Sequence, residues 1–353
     1  MDAEFHYYMT YLIAAKAGYL PQEALVIAHA SQYVDDNDMI FHVDKDEASG
    51  FMNYISQTMN ILKPKKKLMR IYPVFHFIPG EPMEEGAHRK DGMLHMLNCT
   101  PDSPNANSIL DTAFHESKDS PLGLYRMGIA IHGYADTWAH QNFTGTFNDF
   151  NGIFMEKGLT VGHAQAGHNP DEPALIWKDS RLVETRVDNR FRFLEAAQRI
   201  LEKLMKHLDS AVSQKEIEKS QIELRGALDK AIGRRDQQAE YQEERLKRYI
   251  EFAQLAEFGE ADLIEYDPEL WFDEVVNEDV RGFRDRRMEI MGYDLSRFDP
   301  FTDHYTWKDR DKYKESHWYK FQVAVKEHQE SVLGILRKTS MSYIDLPDDL
   351  YTS

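Results

Sequence analysis

The chain has 353 residues, of which 42% are hydrophobic and 12% aromatic, and a formal net charge of −18 at pH 7. That length holds one large domain or two ordinary ones, and the composition is that of a globular protein rather than a disordered one. The acidic balance excludes non-specific binding of duplex DNA through a basic face.

Cys99 is the only cysteine, which excludes an intramolecular disulfide and a zinc cluster built on thiolates. The first residues, Met-Asp-Ala-Glu-Phe-His, lack a basic region and an apolar core, so no secretory signal is readable. No apolar run is long enough to span a bilayer. We therefore expect a cytoplasmic protein without a transmembrane segment, and export by a non-Sec route stays open.

Helical spacing of apolar residues dominates the chain and strand signals are weak, so the sequence predicts an all-α fold. In chain order, helices are expected at residues 3–17, 21–34, 47–62, 122–141, 194–208 and 315–338. A charged helical stretch is expected between residue 208 and about residue 260. The stretch 71–109, which is rich in proline and glycine, and the stretch 145–173 are expected to be loops. Loops of such length are usually functional or disordered.

The predicted helix 122–141 carries His132, Asp136 and His140 at intervals of four residues. Each such step turns the side chain by only about 40°, so the three side chains share one stripe of the helix. Two imidazoles and a carboxylate on one rigid stripe suit zinc or a similar divalent cation. The alternative is an amphipathic helix whose polar groups face water.

The other histidines are concentrated in the same part of the chain. Of 15 histidines, eleven fall at or before His168. A solvated role does not require this asymmetry, whereas a multinuclear metal site assembled from several helices does. The distribution therefore favours a metal centre in the first half.

Two neighbouring carboxylates, Asp35 and Asp36, fall where the second helix is expected to end. Carboxylates at the carboxyl end of a helix meet the negative end of its dipole, which is unfavourable unless a cation offsets it. Both residues are therefore candidate metal ligands, and either is a candidate catalytic base that orients or deprotonates a water. The alternative is a polar turn that opens a loop.

A second cluster contains His163, His168 and Asp171. Glycines at positions 162 and 167 give the backbone freedom to direct both imidazoles at one ion. Asp171 is a candidate co-ligand, or a partner that orients one of the imidazoles. The alternative is a plain surface loop.

These pieces, in this order, resemble the zinc-dependent phospholipase C and fungal single-strand nuclease superfamily, whose members are all-α proteins that bind three zinc ions and hydrolyse phosphodiesters. The resemblance covers about residues 1–175 and is most specific at 132–140; the overall pattern is also similar to that of an uncharacterised bacterial family. The resemblance implies as ligands His6, Asp35 or Asp36, His88 or alternatively His76, His132, Asp136 as the bridge between two metals, His140, and His163 with His168 or Asp171.

In the secreted members of that superfamily the free amino terminus also ligates a zinc ion, and this chain shows no processing signal. Two or three zinc ions per chain are therefore expected. They would be held in a metal-binding catalytic core at residues 1–180, with the C-terminal part, 181–353, as an amphipathic helical extension packed on the core. One continuous domain is the alternative, and the extension is also a candidate surface for a protein partner.

The sequence thus predicts a metal-dependent, most simply zinc-dependent, phosphoesterase that hydrolyses a phosphodiester or phosphomonoester through a metal-bound hydroxide. A lipid head group, a nucleotide and a single-stranded nucleic acid all fit as substrates. The alternative is a non-catalytic helical protein whose metal is structural or stored. Closed tetrahedral sites would favour that alternative, and an open coordination position would favour the enzyme.

Overall fold

A computed structural model describes most of the chain. The described residues are 1–45, 47–58, 65–84, 89–153, 160–234, 241–282, 289–290, 293–294 and 301–344. His88, one of the two candidate loop ligands, lies outside them.

Helices make up most of the described structure. In the first half they are a π-helical turn (Glu4–Met9), α1 (Thr10–Ala17), α2 (Pro21–Asp36), α3 (Lys65–Ile71), a second π-helical turn (Tyr72–His76), α4 (Pro104–Ser117) and α5 (Gly123–Ala139). In the second half they are α6 (Asn189–Leu208), α7 (Gln214–Ile232), α8 (Gln242–Ala253), α9 (Leu270–Val275) and α10 (His317–Leu336). The helices expected at 3–17, 21–34, 122–141, 194–208 and 315–338 are confirmed, with ends that differ by a few residues.

Local sequence signals explain where several helices begin and end. Gly18 ends α1 with φ of 111°, a left-handed conformation that suits glycine, and Pro21 occupies the first turn of α2. Ser103 accepts a hydrogen bond from the Ala106 amide at the start of α4. Ser213 forms a capping box at the start of α7.

The described residues also contain strands, so the expected all-α class is wrong and the fold is mixed α and β. The strands are β1 (His42–Val43), β2 (Phe51–Met52), β3 (Ile176–Lys178), β4 (Arg186–Asp188), β5 (Val276–Gly282), β6 (Glu289–Ile290), β7 (Tyr293–Asp294) and β8 (Phe301–Trp307). A four-stranded sheet has the order β2-β1-β8-β5, in which β1 and β8 are parallel and the other neighbours antiparallel. β3 pairs with β4, and β6 with β7.

The helix expected at 47–62 is also wrong over the described residues 47–58, which contain β2 and no helix. Asn53 accepts a hydrogen bond from the Phe41 amide and donates one to the Met39 carbonyl. Such bonds from an asparagine side chain to the backbone compete with helix formation. They tie this segment to the loop that leads from α2 into β1.

The main hydrophobic core extends across both halves of the chain, from Met1 to Met341. In the second half, α6 packs on α1 and α5, and α10 packs on α4 and α5. The core therefore crosses the boundary expected at residue 180, and the division into two domains remains a prediction. Among the described residues, no helix combines the length and apolar character needed to cross a membrane.

Two glycines of α5 allow neighbouring segments to approach this helix closely. A Cβ atom at Gly128 would collide with the Ile27 carbonyl oxygen and lie 2.7 Å from the Cβ atom of Ala30, both on α2. A Cβ atom at Gly133 would lie 2.9 Å from the carbonyl oxygen of Phe75, in the second π-helical turn. The carboxyl end of α2 and this π-helical turn are thereby brought against one face of α5.

Candidate metal centre

The histidine–aspartate stripe of α5 lies inside the protein. His132 and Asp136 are 0% and 1% exposed, and His140, directly after the last residue of α5, is 4% exposed. A solvated polar face is thereby excluded for these three residues. Burial makes their partners decisive, because ionisable groups away from water need hydrogen bonds or opposite charge.

Asp136 lies at the centre of a group contributed by three segments. Its Oδ2 atom is 3.4 Å from His132 Nε2, 3.5 Å from His76 Nδ1 and 3.5 Å from His140 Nδ1. Asp35 joins from the last turn of α2, with its Oδ1 atom 3.6 Å from His76 Nδ1 and 3.7 Å from His132 Nε2. Of the two candidate loop histidines, His76 is thus the one that the described structure brings into this group.

A fourth histidine, His6, approaches the other carboxylate oxygen of Asp136. Its Nε2 atom is 3.2 Å from Asp136 Oδ1, and its ring stacks on that of His132 with 3.9 Å between centroids. His6 and His76 both belong to π-helical turns, a local geometry that is frequent at functional sites. The sequence offers no clear signal for these turns.

The amino group of Met1 also lies in the cluster, where it forms an ion pair with Asp136 and lies 3.4 Å from Asp171 Oδ1. The spacing of residues in the sequence does not predict this group; the resemblance to secreted zinc enzymes is the one signal that points to an amino terminus. Burial alone would lower the pKa of this group, but Asp136, Asp171 and Asp35 raise it to about 11. The three carboxylates therefore create a strong preference for positive charge at this point.

A second group forms around Asp171. Its Oδ1 atom lies 3.4 Å from His140 Nε2, and its Oδ2 atom lies 3.6 Å from His163 Nε2. The rings of His140 and His163 stack with 4.8 Å between centroids. The side chain of His168 is 91% exposed, and its Nδ1 atom is 4.0 Å from Asp171. The structure thus brings Asp171 and His163 to His140 and leaves His168 at the surface.

Asp36 has different partners from Asp35. It accepts hydrogen bonds from the Tyr266 hydroxyl at 2.8 Å and from Gln32 Nε2 at 3.0 Å. Among the described residues three groups can hold a cation, and Asp36 is in none of them: His6 with Asp35 and His132, His76 with His132 and Asp136, and His140 with His163 and Asp171. In each group the ligand atoms lie within 4.8 Å of one another.

Four of the imidazoles share one hydrogen-bonding pattern. His132 Nδ1 donates to the Ser31 carbonyl at 2.8 Å and His76 Nε2 to the Ser56 carbonyl at 3.0 Å. His140 Nδ1 donates to the His76 carbonyl at 2.7 Å, and His163 Nδ1 donates to the Gly167 carbonyl at 2.8 Å. In a neutral ring the other nitrogen then carries a lone pair, and in all four rings that nitrogen faces the carboxylates.

Burial and neighbouring charge act in opposite directions on the acids of the cluster. Burial raises the pKa of Asp136, but His140, the Met1 ammonium and His132 outweigh it and hold the pKa well below its usual value. Asp171 follows the same pattern, because His163, the Met1 ammonium and His140 outweigh burial and lower its pKa. Burial dominates at Asp35, whose pKa is raised although His132 and His76 oppose the shift.

The cluster opens into a cleft of about 560 Å³. Ligand candidates from both groups line it, including Asp136 and His163, together with an aromatic wall of Tyr72 and Phe77. Asp2 and Asp38 also line the cleft, and no lysine or arginine does so among the described residues. A small molecule can therefore reach the centre, where the amino group of Met1 also lines the cleft.

The fold and the cluster together define a mixed α and β protein with a buried, cleft-facing set of nitrogen and oxygen donors. The chain belongs to a family of unknown function, DUF6765, whose model matches residues 1–336. This match includes all the described groups of the cluster and most of the second half. No curated protein and no solved structure matches the chain.

Proposed function

We propose that this protein is a metal-dependent phosphoesterase, with zinc as the best-suited ion. The observation that carries the proposal is the orientation of the imidazoles. His76, His132, His140 and His163 each give one ring nitrogen to a backbone carbonyl and turn the other toward Asp35, Asp136 or Asp171. Metal-binding histidines in proteins almost always have such an outer partner, which fixes the tautomer and the ring orientation.

The ring nitrogens and carboxylates of the first group converge on one another. His132 Nε2 and His76 Nδ1 lie 3.1 Å apart, and both face the carboxylates of Asp35 and Asp136. Unless a proton or a cation lies between them, lone pairs and negative charges that converge away from water repel each other strongly. A divalent cation between them would turn this repulsion into coordination, and imidazole with carboxylate is a donor set that zinc accepts.

The donors divide among three positions. Asp35, His76, His132 and Asp136 would hold one ion, and His140, His163 and Asp171 a second. His6 and the other oxygen of Asp136 would contribute to a third, next to the amino group of Met1. Asp136 offers its two oxygens to different neighbours, as a carboxylate that bridges two metals does. Two or three ions per chain are therefore proposed, and His88 is not required for the first position.

Bound cations of this kind lower the pKa of a water molecule and neutralise the oxygens of a phosphate ester. The protein's own residues would orient the substrate in the cleft. The side chain of Asp35 is 28% exposed and lines the cleft, so it can orient or deprotonate a water as well as ligate. Tyr72 and Phe77 supply an apolar wall beside the ligands. Substrates remain a lipid head group, a nucleotide or a single-stranded nucleic acid.

Elemental analysis of protein purified without chelator, followed by hydrolysis assays with bis-p-nitrophenyl phosphate and p-nitrophenyl phosphate, tests the proposal. We expect at least two equivalents of a divalent ion and turnover that stops on chelation and returns with zinc. Asp136→Asn should lose metal and at least about 100-fold of turnover, because an amide lacks the charge that a bridging ligand supplies. The control is His207→Ala, at a half-buried residue in the last turn of α6. It should change neither the metal content nor the turnover.

A folded wild-type protein without metal would overturn the proposal. Metal-loaded protein that hydrolyses no phosphate ester would instead favour the second candidate function, a structural or storage site. The cleft argues against that candidate, since structural metal sites are usually closed to solvent and substrate.

A further inference from the structure

A buried ion pair joins α8 to the amino-terminal π-helical turn. Glu4 and Arg245 are both 0% exposed. Arg245 Nη2 donates to Glu4 Oε1 at 2.6 Å, and Arg245 Nε donates to Glu4 Oε2 at 2.8 Å. Two parallel bonds between a planar guanidinium and a carboxylate fix orientation as well as distance. The pair therefore determines where the π-helical turn lies against α8.

The same turn carries His6, two residues after Glu4. The amides of Phe5 and His6 both donate to the Asp2 carbonyl at 3.0 Å, so the turn is held together internally. Glu4 contacts α8, whereas His6 contacts Asp136 and His132 on α5. A displacement of the turn away from α8 would therefore move His6 with it.

Aromatic packing supports the same attachment. Tyr249, one turn after Arg245 on α8, stacks on Tyr8 with 6.2 Å between ring centroids. Tyr8 belongs to the same π-helical turn as Glu4 and His6. The second half of the chain thus contributes to the geometry of a cluster whose ligands all come from the first half.

We propose that Arg245 is a positioning residue of this centre, because it holds Glu4 and with it the turn that presents His6 to Asp136. The importance of this for metal binding rests on the proposed function; the positioning of His6 rests on the contacts alone. Removing Arg245 leaves a buried carboxylate without its charged partner, which strongly favours local opening. Replacing both Glu4 and Arg245 with apolar side chains leaves no unpaired carboxylate to favour this opening.

The experiment uses the full-length protein as purified and has two readouts. Acylation of His6 by diethyl pyrocarbonate, mapped by mass spectrometry, reports whether His6 stays covered, and elemental analysis reports bound metal. In Arg245→Met we expect His6 acylation to rise at least about tenfold, given the cost of an unpaired buried charge. We expect loss of one metal equivalent, the ion next to His6, while the other ions remain.

Three further variants make the result specific. Glu4→Met combined with Arg245→Met should restore the protection of His6 and the metal count, because no buried charge is left unpaired. Arg245→Lys keeps the charge but not the two parallel bonds, and should give a smaller rise in His6 acylation than Arg245→Met. It also keeps the test available if Arg245→Met does not fold. The control Arg190→Met removes another buried arginine, which pairs with the exposed Asp229 on α7, and should leave His6 as protected as in the wild type.

Arg245→Met with wild-type protection of His6, or a double variant as accessible as the single one, would overturn the positioning role. Arg190→Met with the same gain in His6 acylation would also overturn it, since general destabilisation would then explain the effect. A wild-type protein without metal would overturn the proposed function, and the acylation data would still decide whether Arg245 positions His6.

Discussion

Asp35 and Asp36 are neighbours in the chain with different surroundings. Successive residues of an α-helix point about 100° apart, so the last turn of α2 directs the two carboxylates to different partners. Asp35 meets His76 and His132, while Asp36 meets Tyr266 and Gln32. Chemical identity is the same in both cases, and the direction of the side chain decides which carboxylate can serve the centre.

These neighbours provide a matched pair of substitutions. We expect Asp35→Asn to lose metal and turnover, because the amide cannot compensate the charge of a cation held by His76 and His132. Asp36→Asn should keep both, because an amide oxygen can still accept the Tyr266 hydrogen bond. Elemental analysis and the phosphate-ester assay on the two variants, with circular dichroism to verify folding, make the comparison. Equal losses in both variants would contradict the distinction drawn from the structure.

The parts of the site within one helix could be predicted from the sequence, because spacing on a helix translates directly into direction. His132, Asp136 and His140 share a face for that reason. Spacing carries no such information across elements. Spacing does not decide between His76 and His88 as the loop ligand, and it does not indicate the amino group of Met1. Both depend on how separate segments pack.

At the scale of elements, the close contact of α2 with α5 brings Asp35 of α2 together with His132 and Asp136 of α5. Gly128 permits this contact, because a Cβ atom there would lie 2.7 Å from Ala30 Cβ and 3.0 Å from the Ser31 nitrogen. The carbonyl of Ser31 is also the hydrogen-bond partner of His132. The distance between these helices therefore affects both Asp35 and the orientation of His132.

Gly128→Ala should push α2 away from α5. Overpacking of this kind costs about 1–3 kcal/mol of stability, and we expect a loss of metal from the group that contains Asp35. Gly226→Ala, in the exposed part of α7 where an added Cβ meets nothing within 4 Å, should instead stabilise by about 0.5–1 kcal/mol. Thermal melting and metal analysis of both variants test this. Gly128→Ala with wild-type stability and metal content would refute the argument.

The sequence does not predict these strands, for a reason that also lies at this scale. β1 and β2 are two residues long, and β5 has the sequence Val-Asn-Glu-Asp-Val-Arg-Gly, which lacks clear alternation of apolar and polar residues. The parallel pairing of Val43 with Tyr305 joins positions far apart in the chain. Strand patterns are readable when one face is buried along several residues, and these strands do not provide that signal.

For the whole molecule, the core shows how the second half supports the first. Phe5, beside His6, packs edge-to-face on Phe193 of α6 with 5.5 Å between centroids. Phe75, beside His76, lies 5.7 Å from the ring of His328 on α10. Helices after residue 180 therefore cover the segments that hold two of the histidine ligands. Core and ligand cluster depend on the same packing.

A fragment ending at residue 180 tests whether the first half is an independent domain. It would expose Phe5, Phe75 and further apolar side chains, each worth about 1.5–3 kcal/mol when fully buried. Several such losses exceed the roughly 5–15 kcal/mol that stabilises a typical native protein. We therefore expect the fragment to show no cooperative thermal transition and no stoichiometric metal binding, whereas the full chain unfolds in one transition. A fragment that melts cooperatively and binds metal would instead establish a catalytic core at residues 1–180 and would show that the contacts of α6 and α10 are dispensable for it.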